Sequence, residues 1–332
     1  MTPEVKLQQL FEWDSPRQNA ELRAELATDL LQPQAGIAPK FFYDRLGSRL
    51  FEAITELPEY YPTRTEAAIF REHMPGIRQA LGTDFTLIDL GCGSCEKAGR
   101  LFHAGALPAR YLAVDISVEF LRESLQHLQR ELPAIDMTGI GLDFTHELRL
   151  PDDLAPQRRM FFYPGSSIGN FSPPEASRFL RRLADLMDAS GGLLIGVDLI
   201  KEKSLLDAAY DDALGVTAAF NRNLLRHVNA RLDADFAIGD WRHVAFFNAA
   251  DSRIEMHLEA RRDLDASWPD DAGRRVRHFA AGERIHTENS YKYSPDGFRA
   301  LLIEAGFTDI EMWTDPRAWF ALFFARQAAT RT

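Results

Sequence analysis

Gly91 and Gly93 stand one residue apart at the end of a short apolar run, Thr86-Leu-Ile-Asp-Leu90. Ser94 and a helix-compatible segment, Glu96-Lys-Ala-Gly-Arg-Leu-Phe102, follow. The pattern is that of a buried parallel strand, a tight turn and a helix start. Glycine permits positive φ and close approach of a ligand to the backbone, and the helix start offers unpaired N–H groups. Tyr111-Leu-Ala-Val-Asp115 reads as a second apolar strand ending in an acid. A carboxylate there can take both hydroxyls of a ribose.

These residues point to nucleoside binding. The pyrophosphate fingerprint wants a third glycine, and Glu96 holds that position. A carboxylate beside a pyrophosphate repels it, so a ligand with a ribose and no phosphate fits better. S-adenosylmethionine is the common one. Two competing readings are a nicotinamide-dependent oxidoreductase, which Glu96 opposes, and a non-catalytic S-adenosylmethionine sensor.

Other polar residues fall where further strands end. Asp143 can accept from an adenine amino group with Phe144 packed on the ring, or it can serve as a loop cap. Asn170 closes Gly165-Ser-Ser-Ile-Gly-Asn170, at the place that faces the methyl group in doubly wound methyl-transferring enzymes. Its amide offers both donor and acceptor, though asparagine also tolerates left-handed turns. Cys92 and Cys95 form a C-x-x-C, the pattern of a redox pair or half a zinc site, and are the only 2 cysteines. No third cysteine exists to complete a zinc site and no histidine cluster lies nearby, so no metal is expected. The thiols sit where backbone should meet the ligand and are not expected to do chemistry.

The elements that must position these groups follow from periodicity. Between 86 and 200, strands (86–90, 110–115, 137–143, 159–164, 192–198) alternate with helices (96–103, 117–131, 173–188). Such α/β alternation reads as a doubly wound parallel sheet, with ligands at the C-terminal strand ends. Residues 5–32 read as helical through Leu7, Leu10, Phe11, Leu22, Leu26, Leu30 and Leu31, ending at Pro33. Phe42, Leu46, Leu50 and Ile54 make a second helix face. Tyr43, Tyr60 and Tyr61 read as packing aromatics with a wet hydroxyl. Beyond Asp198 the alternation stops. One or two helices cover 203–231, and 241–247 pairs antiparallel with 253–261. The charged stretch 263–275 reads as a solvated loop, and 278–293 continues the antiparallel style. A helix at 295–305 and strands near 307–313 and 319–324 return as an edge hairpin.

A chain of 332 residues can bury a full core, in one large domain or two intertwined ones. A net charge of −11 argues against a nucleic-acid partner. No apolar run is long enough for a transmembrane span, and the N-terminus has no signal pattern. A cytoplasmic protein without membrane or nucleic-acid partners is expected, with a monomer favoured.

Several longer segments carry a resemblance. Pro39–Glu66, Gly165–Asn170, Ala209–Asn223, Arg253-Ile-Glu-Met-His257 and Ile285-His-Thr-Glu-Asn-Ser-Tyr-Lys292 together resemble the histidine-specific Nα-methyltransferases of ergothioneine biosynthesis. The resemblance spans nearly the whole chain. It implies a Rossmann-like class I methyltransferase sheet, over 66–200 and 294–332, with a smaller α+β substrate domain over 1–65 and 201–293. It implies S-adenosylmethionine-dependent trimethylation of the α-amino group of L-histidine to hercynine. Ovothiol-type enzymes share parts of these motifs, so another amino acid or a histidine derivative is the alternative substrate. The implied cofactor residues are Gly91, Lys97, Asp115, Asp143 and Phe144, with Tyr43 approaching through water. The implied substrate residues are Tyr60, Asn170, Tyr210, Glu288 and Ser290, with Met256 packing nearby. Asn170 and Tyr210 would hold the amino-acid head group as positioners rather than bases. Tyr60, Glu288 and Ser290 would read the imidazole. The chain departs from one family pattern at Cys92-Gly-Ser94, where that member has Ser-Gly-Thr, and at Ser290-Tyr-Lys292, where it has Ser-Cys-Lys. Neither change removes an implied contact.

Overall fold

The computed structural model describes residues 5–9, 16–145, 148, 150, 154, 158–270 and 273–327. Along the chain the strands are β1 (Lys6–Gln9), β2 (Thr86–Leu90), β3 (Arg110–Asp115), β4 (Asp136–Gly141), β5 (Arg159–Tyr163), β6 (Gly192–Asp198), β7 (Trp241–Asn248), β8 (Arg253–Ala260), β9 (Leu264–Asp270), β10 (Gly273–Phe279), β11 (Arg284–Tyr291), β12 (Asp309–Thr314) and β13 (Phe320–Arg326). The α-helices are α1 (Pro16–Leu30), α2 (Arg45–Thr55), α3 (Tyr61–Leu81), α4 (Glu96–His103), α5 (Val118–Glu131), α6 (Pro173–Asp185), α7 (Lys203–Tyr210), α8 (Val216–Leu232) and α9 (Pro295–Glu304). The chain forms two units. One holds Pro62–Ile200, the chain from Tyr291 onward and β1; the other holds Glu12–Tyr61 and Lys201–Ser290.

The first unit is built on an eight-stranded sheet in the order β1-β4-β3-β2-β5-β6-β13-β12. Strands β1 to β6 are parallel, and β13 runs antiparallel between β6 and β12. The return hairpin therefore closes one edge, as its sequence pattern suggested. Strand order reverses between β2 and β5, which makes that junction the crevice point of a doubly wound sheet. Period-two alternation splits each strand between two cores. Leu87, Tyr111 and Ala113 face Ile69 of α3, Leu101 of α4 and Leu125 of α5. Ile88, Leu112 and Val114 face Phe179 and Leu183 of α6 and Phe298 of α9.

The helical reading of residues 5–32 fails at its start. Residues 6–9 form β1, in parallel register with β4. Leu7 lies so close over Gly139 that a Cβ there would stand 2.7 Å from its Cδ1, so the glycine makes room for the added strand. Leu10 and Phe11 lie outside the described residues. In α1, Leu22, Leu26 and Leu30 form a buried face as expected, whereas Leu31 lies beyond the helix and is exposed.

The second unit contains a three-stranded sheet, β11-β8-β7, and the hairpin β10-β9, with α1, α2, α7 and α8. The charged stretch expected as a loop is that hairpin, in register from Leu264↔Phe279 to Asp270↔Gly273. Leu264, Ala266 and Trp268 are buried while Asp265 and Ser267 are not. The period-two signal was present in β9 but hidden under the charges of the hairpin. In α2 the inward face is Gly47, Ser48 and Ile54, and Leu46 is 44% exposed. A Cβ at Gly47 would fall 1.7 Å from the Phe42 carbonyl oxygen, so that close approach turns Leu46 outward.

The insert 201–290 leaves and rejoins the first unit through two adjoining stems. Leu199 bridges Tyr293, Ile200 N–H donates to the Tyr293 carbonyl (3.0 Å), and Tyr293 N–H donates to the Asp198 carbonyl (3.1 Å). The side chains of Asp198 and Lys292 form a fully buried ion pair at 2.8 Å. Removing one partner of such a pair strands a charge in low dielectric. Lys292→Met is expected to cost about 3–5 kcal/mol of unfolding free energy, read from urea midpoints. The Asp198→Asn/Lys292→Met double variant should regain at least half of that; equal losses in single and double variants would contradict this account.

Candidate active site

The C-terminal ends of β2 and β3 lie side by side in parallel register. Gly91 N–H and Cys92 N–H both donate to the Val114 carbonyl, at 2.8 and 3.2 Å, folding the glycine loop onto β3. Gly91 and Gly93 have φ of 68° and 52°, values that favour glycine. The Asp115 carboxylate accepts from Gly93 N–H through Oδ2 and from Ser117 N–H through Oδ1, each at 2.9 Å. It thereby ties together the loops that follow β2 and β3. Burial pushes its pKa up, and these backbone donors oppose that rise.

Phe144 lies over the glycine loop: a Cβ on Gly91 would stand 3.6 Å from its Cζ. Its ring meets Tyr163 edge-on at 5.9 Å. Asp143, buried two residues beyond β4, accepts from Thr145 N–H at 3.1 Å and from the Thr145 hydroxyl, so its loop-capping role is real. Glu96, at the missing glycine position, pairs with Arg100 in the first turns of α4. A pyrophosphate would meet that carboxylate, whereas a ribose would not need to. The loop's geometry and donor set therefore suit a nucleoside without phosphates. Cys92 and Cys95 are free thiols, and burial raises the pKa of Cys92. Lys97 pairs with Glu66 at 2.8 Å. Asn170 ends a 3-10 turn, Ser167–Asn170, that follows β5, and is half-buried.

In the second unit the structure gathers other expected residues. Tyr210, the last residue of α7, donates its O–H to Ser290 Oγ at 2.8 Å. The Tyr60 ring meets Tyr210 edge-on at 6.2 Å. Glu288 lies two residues before Ser290 on β11 and is also buried, and Met256 is buried on the neighbouring β8. Tyr43 stands half-buried, edge-on to Phe51 and Phe220.

Sequence reasoning missed the residues behind these. His243 Nε2 donates to the Tyr210 carbonyl and Nδ1 accepts from Asn221 Nδ2, each at 2.8 Å. Because a carbonyl only accepts and an amide N–H only donates, the partners assign that tautomer. Burial lowers the His243 pKa and favours the neutral ring. Nothing in the strand pattern Trp241-Arg-His243 marked this residue. Glu66 was equally silent, lying inside an aromatic-rich segment as one acid among many.

A family model described as histidine-specific methyltransferase, SAM-dependent, matches residues 22–327. The chain belongs to this family. This methyltransferase is 40% identical over 317 residues to the histidine N-alpha-methyltransferase of Mycolicibacterium smegmatis, covering 92% of this chain and 94% of that one. It is 39% identical over 316 residues to the Mycobacterium tuberculosis protein of the same name, with the same coverage. Ergothioneine biosynthesis protein 1 of Neurospora crassa is 29% identical over 304 residues, which are 88% of this chain and 34% of that protein. The sheet of this methyltransferase is thus a class I methyltransferase sheet, and S-adenosylmethionine is its cofactor.

One acid beside the glycine loop of the methyltransferase makes a measurable demand. Asp89 is 1% exposed; its Oδ2 accepts from Tyr111 O–H at 2.8 Å, and its Oδ1 has no partner among the described residues. Burial raises its pKa to about 7, above the roughly 3.9 of an unfolded chain. The folded state thus binds more protons between these values, and stability falls as pH rises through them. Asp89→Asn cannot ionise. From pH 5 to pH 8 the wild type should lose about 2–3 kcal/mol relative to this variant, measured by urea unfolding at both pH values. Parallel pH profiles would show that Asp89 ionises at an ordinary carboxylate pKa.

Proposed function

We propose that this methyltransferase places three methyl groups on the α-amino nitrogen of L-histidine, giving hercynine, as a step of ergothioneine biosynthesis. The observation that carries the substrate choice is the buried polar cluster of the second unit. Tyr210, Ser290 and Tyr60 set hydroxyls, and Glu288 a carboxylate, at buried positions of that unit. An imidazole carries two ring nitrogens, and a carboxylate and hydroxyls can satisfy both in a closed pocket. The relatives' names and the segments shared with that family support the same reading.

Residues 66–200 and 294–332, with β1, would hold the cofactor; 1–65 and 201–293, apart from β1, would read the substrate. Asp115 would take the ribose hydroxyls, Asp143 and Phe144 the adenine, and Gly91 and Lys97 the remainder, with Tyr43 acting through water. When bound, S-adenosylmethionine supplies a methyl on a sulfonium that is already a good leaving group. The protein's own task is alignment, and the presentation of a neutral amine. A free α-amino group has a pKa of about 8 or higher, and a fixed positive charge nearby lowers it. Asn170 and Tyr210 would hold the amino-acid head group. A phenol whose proton is committed to Ser290 presents its oxygen as an acceptor, which suits an amine N–H. Repeated transfer to one nitrogen requires that no residue demand a particular N–H in every round, and an amide and a phenol meet that condition. Glu288, with Ser290 and Tyr60, would accept from the imidazole.

Mass spectrometry of each of the twenty amino acids, incubated with protein and S-adenosylmethionine, should show a gain of three methyls on histidine alone. A product from another amino acid, or none from histidine, would refute the assignment. Glu288→Ala should lower kcat/KM for histidine about 5- to 150-fold, equivalent to about 1–3 kcal/mol. It should also narrow the preference for histidine over phenylalanine, because a site built for hydrogen bonds rejects analogues through its own unpaired groups. If both quantities stay within about twofold, the ring is read elsewhere.

A further inference from the structure

The turn that carries Asn170 begins with two residues in left-handed backbone, Gly165 (φ 77°) and Ser166 (φ 61°). Serine rarely adopts this conformation, so something must hold it. Two hydrogen bonds do so. Gly165 N–H donates to Glu66 Oε1 at 2.8 Å, and Ser166 Oγ accepts from Asp198 N–H at 2.9 Å. The second oxygen of Glu66 pairs with Lys97 on the first turn of α4, again at 2.8 Å. Glu66 itself is 1% exposed.

The surrounding glycines show how closely the chain is built around this carboxylate. A Cβ on Gly196 would stand 2.2 Å from Glu66 Oε1 and 3.1 Å from the Gly165 nitrogen. A Cβ on Gly165 would stand 2.6 Å from Lys97 Nζ. Real side chains essentially never approach so closely, so both positions are bare where the carboxylate and its lysine lie. A buried carboxylate with a charged partner on one oxygen and a backbone donor on the other has little freedom to move.

We propose that Glu66 is a positioning residue for methyl transfer: through Gly165 N–H it holds the 165–170 turn in the conformation that presents the Asn170 amide. It touches neither substrate nor cofactor in this role. Ser166, pinned by Asp198 N–H, is the second fastening of the same turn. The proposal rests on the assignment of Asn170 to the amino-acid head group.

A double-mutant cycle tests it. Turnover at saturating histidine and S-adenosylmethionine is measured for Glu66→Ala, Asn170→Ala and the double variant, with thermal midpoints recorded alongside. Glu66→Ala should lower kcat at least tenfold, but less than threefold when Asn170 is already alanine. Glu66→Gln keeps an acceptor for Gly165 N–H and should recover most of the kcat lost in Glu66→Ala, although it lacks the charge that faces Lys97. Equal losses from Glu66→Ala in both backgrounds, or a glutamine variant as impaired as the alanine one, would overturn the proposal. If Glu66→Ala does not fold, Ser166→Ala enters the same cycle. Non-additivity with Asn170→Ala is again expected, and additivity overturns the proposal. Full turnover in Asn170→Ala alone would refute the head-group assignment, and this route with it; impaired but additive turnover would refute the role of Glu66 alone.

Discussion

Helices on both faces of the eight-stranded sheet leave its inner strands no wet side. The interior residues of β2, β3, β5 and β6 are therefore almost all apolar and buried. Polar chemistry has only the strand ends in which to appear. That constraint places Asp115 at the end of β3, Asp143 just past β4 and Asn170 one turn past β5. Asp89 is the exception, a carboxylate inside a buried strand, and burial raises its pKa accordingly.

The strand ends are organised by carboxylates that accept from backbone N–H groups. Asp115 does this for two loops and Glu66 for a third. Charge-assisted bonds of this kind are stronger than neutral ones and can keep glycine loops in uncommon backbone conformations. The second unit works differently. Tyr210 is held through neutral partners: Ser290 at its hydroxyl and His243 at its carbonyl, with Asn221 behind the histidine. Such an arrangement gives direction to hydrogen bonds through neutral donors and acceptors.

Much of this was readable from residue order. Strand and helix alternation between 86 and 200 and the paired strands over 241–261 were visible as periodicities, and so was the edge hairpin. Asp115 was legible because an acid at the end of the second strand has few other reasons to be there. What escaped reading depended on contacts between distant segments. β1 is four residues long, too short for periodicity, and its place beside β4 shows only through Gly139. Strand β9 carried the right alternation, but the charges of β9 and β10 dominated composition. Glu66 meets Gly165 across 99 positions and Tyr210 meets Ser290 across 80, and no local pattern reports pairings of that range. The residues of the second unit's cluster came from resemblance to a family, not from spacing.

The paired stems at Leu199 and Tyr293 have an evolutionary meaning. Ends joined by a β-bridge, two backbone hydrogen bonds and a buried ion pair make the insert's attachment point independent of what the insert contains. Closing a loop costs entropy that grows only slowly with length, and insertions succeed where the two ends are already close. β6 and β13 can thus pair in the same register whether the intervening segment is short or long. A sheet fastened in this way could accept large changes in the segment between two neighbouring scaffold residues without rebuilding the loops that follow its strands.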